Sequence, residues 1–147
     1  MGFSNKEMSY MIGDAVLGMF DNQGLNIKWN ALTSTGMLLN EYQELALKTA
    51  VYPGQGEILG KMYCALKLNG EAGEVAEKIG KVVRDDNMKF SPEKTLAIAK
   101  ELGDTLWYIS SLAKELGFSL NDIAKMNIDK LKQRKDNNKL HGEGDNR

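Results

Sequence analysis

The sequence predicts an all-α protein: a bundle of four core helices behind an N-terminal helical extension. Three observations predict it. Apolar residues recur at three- and four-residue intervals over long stretches. Only two prolines, Pro53 and Pro92, occur in 147 residues. No stretch alternates apolar and polar residues as a half-buried strand would.

The first helix is expected over residues 5–20, where Met8, Met11, Ile12, Ala15, Val16, Met19 and Phe20 share one face. Ser4 and Glu7 form a capping-box pattern before it. Its amphipathic face reads as a packing or oligomer element. Residues 21–36, polar and rich in Asn, Gly, Ser and Thr, read as a linker. The next helix is expected from Asn40, with Gln43 completing a cap-like pattern, to about Ala50 before Tyr52-Pro53. A long helix follows from near Glu57 to Arg84, crossing Gly70 and Gly73. Each of these glycines weakens a helix by about 1 kcal/mol relative to alanine, so they imply close approach by a neighbouring helix or a ligand.

Ser91, Pro92 and Glu93 give the clearest start signal: a cap, a ring suited to the first helical position, and an acid at the positive helix end. Ile98, Leu102, Thr105, Ile109, Leu112 and Leu116 form the expected core seam, and Gly117 the stop. Ser119 with Asp122 opens the last helix, which runs to about Arg134. The expected organisation is an extension over residues 1–37, a helical domain over 38–135, and a polar tail over 136–147.

Composition removes several function classes. A formal net charge of −1 argues against strong attraction to nucleic acid or an anionic membrane. Cys64 is the only cysteine, so no internal disulfide forms, and it reads as a small buried residue. A single histidine, His141, makes a histidine-based zinc site or a Ser-His-Asp triad a poor fit. No apolar run approaches the roughly 20 residues that span a bilayer. No signal-peptide pattern opens the chain, and cytoplasmic residence is the expectation.

Two acidic pairs stand out, Glu71/Glu74 and Glu101/Asp104. Residues three apart lie on neighbouring parts of a helix face, so two antiparallel helices would bring four carboxylates together. Hard oxygen donors suit Mg²⁺, which also binds phosphate oxygens. Spacing alone decides little: chance gives about three such pairs among 20 acidic residues, and four occur. The surroundings add weight. Leu102, Leu106 and Ile109 should anchor the helix of the second pair, with Tyr108 one turn beyond Asp104 on the same side. The competing reading is a solvated charged face with Glu74–Lys78 and Glu77–Lys81 pairs, and for Glu77 that reading prevails. Lys130 and Arg134, four apart, are candidate phosphate cations, with Asn127 on the same helix; Lys81 and Arg84 follow the first pair. Trp29 and Trp107 read as core or interface residues.

The run Leu68-Asn-Gly-Glu-Ala-Gly-Glu-Val-Ala-Glu-Lys-Ile, followed by Glu101-Leu-Gly-Asp-Thr-Leu-Trp-Tyr, resembles the MazG-like family of all-α nucleoside triphosphate pyrophosphohydrolases. The resemblance covers about residues 40–134, with a fainter match in the tail, and leaves out residues 1–37. It implies that Glu71, Glu74, Glu101 and Asp104 bind Mg²⁺, with Mn²⁺ a possible substitute. It implies further that Tyr108, Asn127, Lys130 and Arg134 approach the nucleotide, and that the chain forms a homodimer or homotetramer. The reaction it implies is hydrolysis of a ribo- or deoxynucleoside triphosphate to monophosphate and pyrophosphate, in nucleotide-pool control. A catalytically silent helical regulatory or interaction module is the alternative. A di-iron bundle fits poorly, because no Glu-x-x-His pair is present.

Overall fold

A computed structural model describes residues 36–137. Contacts divide the chain into Met1–Leu38 and Leu39–Arg147, and the four helices described belong to the second unit. They are α1 (Leu39–Leu47), α2 (Ile58–Asp85), α3 (Pro92–Glu115) and α4 (Leu120–Asp136), with no strand among the described residues. The expected helix over residues 5–20, the linker up to residue 35, Trp29 and His141 lie outside the described residues.

Helix α1 departs from expectation at both ends. Asn40 is already helical, and its Oδ1 accepts the amide of Asn121 at 3.0 Å rather than capping its own helix. Gln43 is buried and bonds outward: Nε2 donates to the carbonyls of Ser110 (3.2 Å) and Phe118 (3.3 Å), and Oε1 accepts the amide of Leu120 (3.0 Å). The residues read as a local cap therefore bind α1 to the α3–α4 corner. The helix ends at Leu47, short of Ala50, in a turn where Thr49 Oγ1 donates to the carbonyl of Ala46.

Glu57 precedes α2 without a side-chain cap. The carbonyl of Gly54 instead accepts the amides of Glu57 (3.0 Å) and Gly60 (2.9 Å), satisfying donors that a helix start leaves unpaired. Glu115 fastens this turn to the end of α3: its carboxylate accepts Tyr52 Oη at 2.8 Å and the amide of Gly56 at 3.1 Å. At the other end, Asn87 and Met88 take left-handed backbone conformations, with φ of 51° and 62°.

The predicted caps of α3 and α4 are present. Ser91 Oγ accepts the amide of Lys94, with Pro92 in the first turn. Gly117, at φ 82°, ends α3 in a Schellman motif, the amide of Phe118 returning to Ala113 and that of Gly117 to Lys114. Ser119 and Asp122 form a full capping box.

Helices α2 and α3 pack along each other as an antiparallel pair, while α1 and α4 pack on each other and on α3. Gly60, near the start of α2, meets Glu115 at the end of α3; Lys78, late in α2, meets Glu101, early in α3. Buried apolar residues are small or sparse: Ala46, Tyr52, Cys64, Val82, Ala113 and Leu120. The expected α3 seam is corrected. Of its six residues Leu102 and Leu116 are more than half exposed, Ile98, Thr105, Ile109 and Leu112 are half-buried, and the fully buried positions are Ser110, Ser111 and Ala113. Leu106 is partly exposed. Trp107 helps hold α3 in place, its Nε1 donating to Thr49 Oγ1 (2.9 Å) and the carbonyl of Ala46 (3.2 Å). At Gly70 and Gly73 no neighbouring helix makes the expected close approach: no neighbouring atom lies within 4 Å of where a β-carbon would stand. Close approach requires glycine instead at Gly60, where a β-carbon would lie 2.4 Å from the Gly54 carbonyl, and at Gly54, where it would lie 2.6 Å from Leu59 Cβ.

Candidate functional site

The antiparallel pairing sets the middle of α2 against the first half of α3. That places carboxylate oxygens of Glu71, Glu101 and Asp104 within 4.8 Å of one another, a group that could hold a metal ion. Asp104 is exposed as a residue, yet local desolvation of its carboxyl, then Glu101 and then Glu71, raises it above its ordinary value. Each of these effects disfavours a third negative charge there, and a divalent cation would relieve all of them. Three hard oxygen donors converging in this way fit Mg²⁺ or Mn²⁺.

Glu74 lies outside this group and is exposed on α2, so three of the four predicted carboxylates converge in the described structure. The expected Glu74–Lys78 pair is not the one formed. Lys78 Nζ lies 3.2 Å from Glu101 Oε1 across the helix pair. The Glu77–Lys81 pair does form, at 2.8 Å, and leaves Glu77 on the solvated face. Lys67 Nζ is 3.0 Å from Glu71 Oε1 and 5.6 Å from the centre of the Tyr108 ring.

Tyr108 thus borders the carboxylates as expected. Burial raises its phenol, and the charge of Lys67 opposes that shift. Tyr63 and Glu71 add to the rise. Trp107 packs edge-on against Tyr108, centroids 4.7 Å apart, and edge-on against Tyr52 at 6.1 Å, in the structural role expected of it. Tyr42 of α1 joins the site as well: burial and then the charge of Asp104 raise its phenol.

The predicted α4 residues stand differently. Asn127 is exposed, Lys130 half-buried and Arg134 buried. The charges acting on Asp104 come from Glu101 and Glu71. The cations on the carboxylates are Lys67 and Lys78 of α2. Lys67 was missed in the sequence and Lys78 was assigned to Glu74, although a signal existed. Lys67, Glu71 and Lys78 are separated by four and seven residues, which places all three on one helix face.

The profile of the MazG nucleotide pyrophosphohydrolase domain matches residues 62–138, which contain every carboxylate of the group. The Gene 37 protein of Mycobacterium phage L5 is 40% identical over 114 residues, covering 76% of this chain and 100% of that protein. No solved structure matches the chain significantly. No helix among the described residues is long and apolar enough to cross a membrane.

Proposed function

Because the chain belongs to the MazG nucleotide pyrophosphohydrolase domain family, we propose that it hydrolyses a ribo- or deoxynucleoside triphosphate to the monophosphate and pyrophosphate, with Mg²⁺ as its cofactor. Mn²⁺ would substitute. The observation that carries this reading is the convergence of Glu71, Glu101 and Asp104 from two helices, with oxygens within 4.8 Å. These three would hold the cation, and Glu74, one turn along α2, is the fourth candidate. Bound there, the cation would supply neutralisation of phosphate charge and activation of water.

The remaining work falls to the chain. One carboxylate of the group accepts the proton of the attacking water. Tyr108, beside Lys67 and partly buried, borders the nucleotide. Asn127, Lys130 and Arg134 meet it from α4, Arg134 only after giving up its present burial.

We place the protein in the cytoplasm, in control of the nucleotide pool, as a homodimer or homotetramer. Met62 and Leu66 on α2 and Leu102 on α3 are each more than half exposed, and a second copy would cover such apolar residues.

The test is pyrophosphate release from a panel of ribo- and deoxynucleoside triphosphates, with Mg²⁺ and with chelator. Metal-dependent release with monophosphate product, lost in Asp104→Asn, supports the reading and ranks the bases. A folded protein inert toward the whole panel, or full turnover by Asp104→Asn, refutes it. Sedimentation of the same sample reads the oligomeric state.

A further inference from the structure

The two ion pairs at the carboxylate group are unlike the other charge pairs of α2. Lys81–Glu77 joins two exposed side chains, 52% and 62% accessible. Lys67–Glu71 and Lys78–Glu101 instead join an accessible lysine, at 42% and 35%, to a carboxylate that is only 12% and 14% accessible. The acids are fixed inside the group while the ammoniums stand at its rim. The lysines approach from opposite directions along α2, one before Glu71 and one after it.

We propose that Lys67 and Lys78 are the phosphate clamp of this site: they pair with Glu71 and Glu101 as counter-ions, and pass to phosphate oxygens when a divalent cation takes the carboxylates. The proposal rests on the functional reading above. Its logic is one of charge. Three carboxylates against two ammoniums leave one formal negative charge. A divalent cation turns that into one positive charge, which favours a triphosphate. Without the lysines the cation-loaded group would remain negative and oppose the same ligand. Competition for atoms points the same way. Glu71 Oε1 and Glu101 Oε1, which the lysines hold, belong to carboxylates of the candidate metal group. An ammonium displaced by a cation needs a new anion. Its compact charge on a flexible stem suits phosphate, and pairs with an exposed partner break easily. Tyr108 keeps a foothold for Lys67, whose ammonium lies over that ring.

Equilibrium binding separates this role from a structural one. Mn²⁺ binding is read by the electron paramagnetic resonance of the free ion, and inorganic triphosphate binding by calorimetry on Mn²⁺-loaded protein. Lys67→Met and Lys78→Met should each bind Mn²⁺ roughly twofold to fivefold more tightly, having lost a competitor for the carboxylate. Each should bind inorganic triphosphate about tenfold more weakly, having lost one charged contact. The KM for a nucleoside triphosphate should rise with the latter, and Lys67→Arg should recover most of the binding. Lys125→Met, which breaks the exposed pair with Asp129 on α4, is the control expected to change neither. Unchanged triphosphate affinity in both methionine variants, or weaker Mn²⁺ binding, overturns the clamp. If Asp104→Asn loses Mn²⁺ while the lysine variants fail in this way, only the clamp falls. If the wild type binds no Mn²⁺, or Asp104→Asn binds it equally well, the metal site falls and the clamp with it.

Discussion

Lys78 of α2 reaches across the helix pair to Glu101 of α3, Nζ to Oε1 3.2 Å, instead of back one turn to Glu74. The choice follows from where desolvation is felt. Glu101 is 14% accessible and borders two other carboxylates, whereas Glu74 is exposed and has water as an alternative partner. An ammonium is worth more beside the shielded acid than beside the hydrated one. The pair therefore marks the boundary between the solvated face of α2 and the face that carries the carboxylate group.

The carboxylate group should make the metal-free protein sensitive to pH through Asp104. Its proton affinity is raised by local desolvation, Glu101 and Glu71, so the folded state holds that proton more tightly than the unfolded state. The resulting stability is fully present below the ordinary value of 3.8 and is lost as pH rises through the higher folded value. Asp104→Asn should therefore be more stable than wild type at neutral pH in chelator, with the difference closing on acidification. Added Mg²⁺ should reverse the order, stabilising wild type more than the variant. Thermal melts across pH, with and without Mg²⁺, check both.

Two glycine substitutions in α2 should act in opposite directions. A β-carbon at Gly60 would lie 2.4 Å from the Gly54 carbonyl and 3.0 Å from the Glu115 carboxyl, so Gly60→Ala should cost about 1–3 kcal/mol. At Gly80 nothing lies within 4 Å, so Gly80→Ala should gain roughly 0.5–1 kcal/mol from helix propensity. Urea denaturation of the two variants reads the contrast directly.

Removing the Gln43 side chain should cost more than a typical surface change. It would leave the Leu120 amide without its acceptor and two carbonyls without their donor at the α3–α4 corner. Gln43→Ala should lose about 2–4 kcal/mol by denaturant titration. Hydrogen exchange should then quicken first at the start of α4.

Ser119→Ala removes the hydroxyl that accepts the amide of Asp122, and with it half of the capping box. A loss of about 1 kcal/mol is expected, with retained helix content by circular dichroism. A loss below a few tenths would show that the bonds from Gln43 and Asn40 hold the corner without the cap.

The sequence by itself determined the helical class, the extents of three of the four described helices to within two residues, and three carboxylates that the fold brings together. Helix starts and stops are local chemistry: Ser91-Pro92, Gly117 and Ser119 with Asp122 act on backbone groups within a few residues. The motif around Glu71 and Glu101 was legible through its family resemblance, because helical spacing alone also marks pairs that chance supplies. What only the tertiary structure decided is which of those faces meet. Gln43 resembles a local cap until Ser110, Phe118 and Leu120 come within reach. Leu102 resembles a core residue until α3 rotates it outward and buries Ser110 and Ser111 instead. Lys67 and Lys78 gain their meaning from the acids they neutralise, and for Lys78 that acid lies on another helix. Periodicity gives each helix its stripes. The rotation and pairing of helices depend on side chains distant in sequence, whose contacts exist only once the chain has packed.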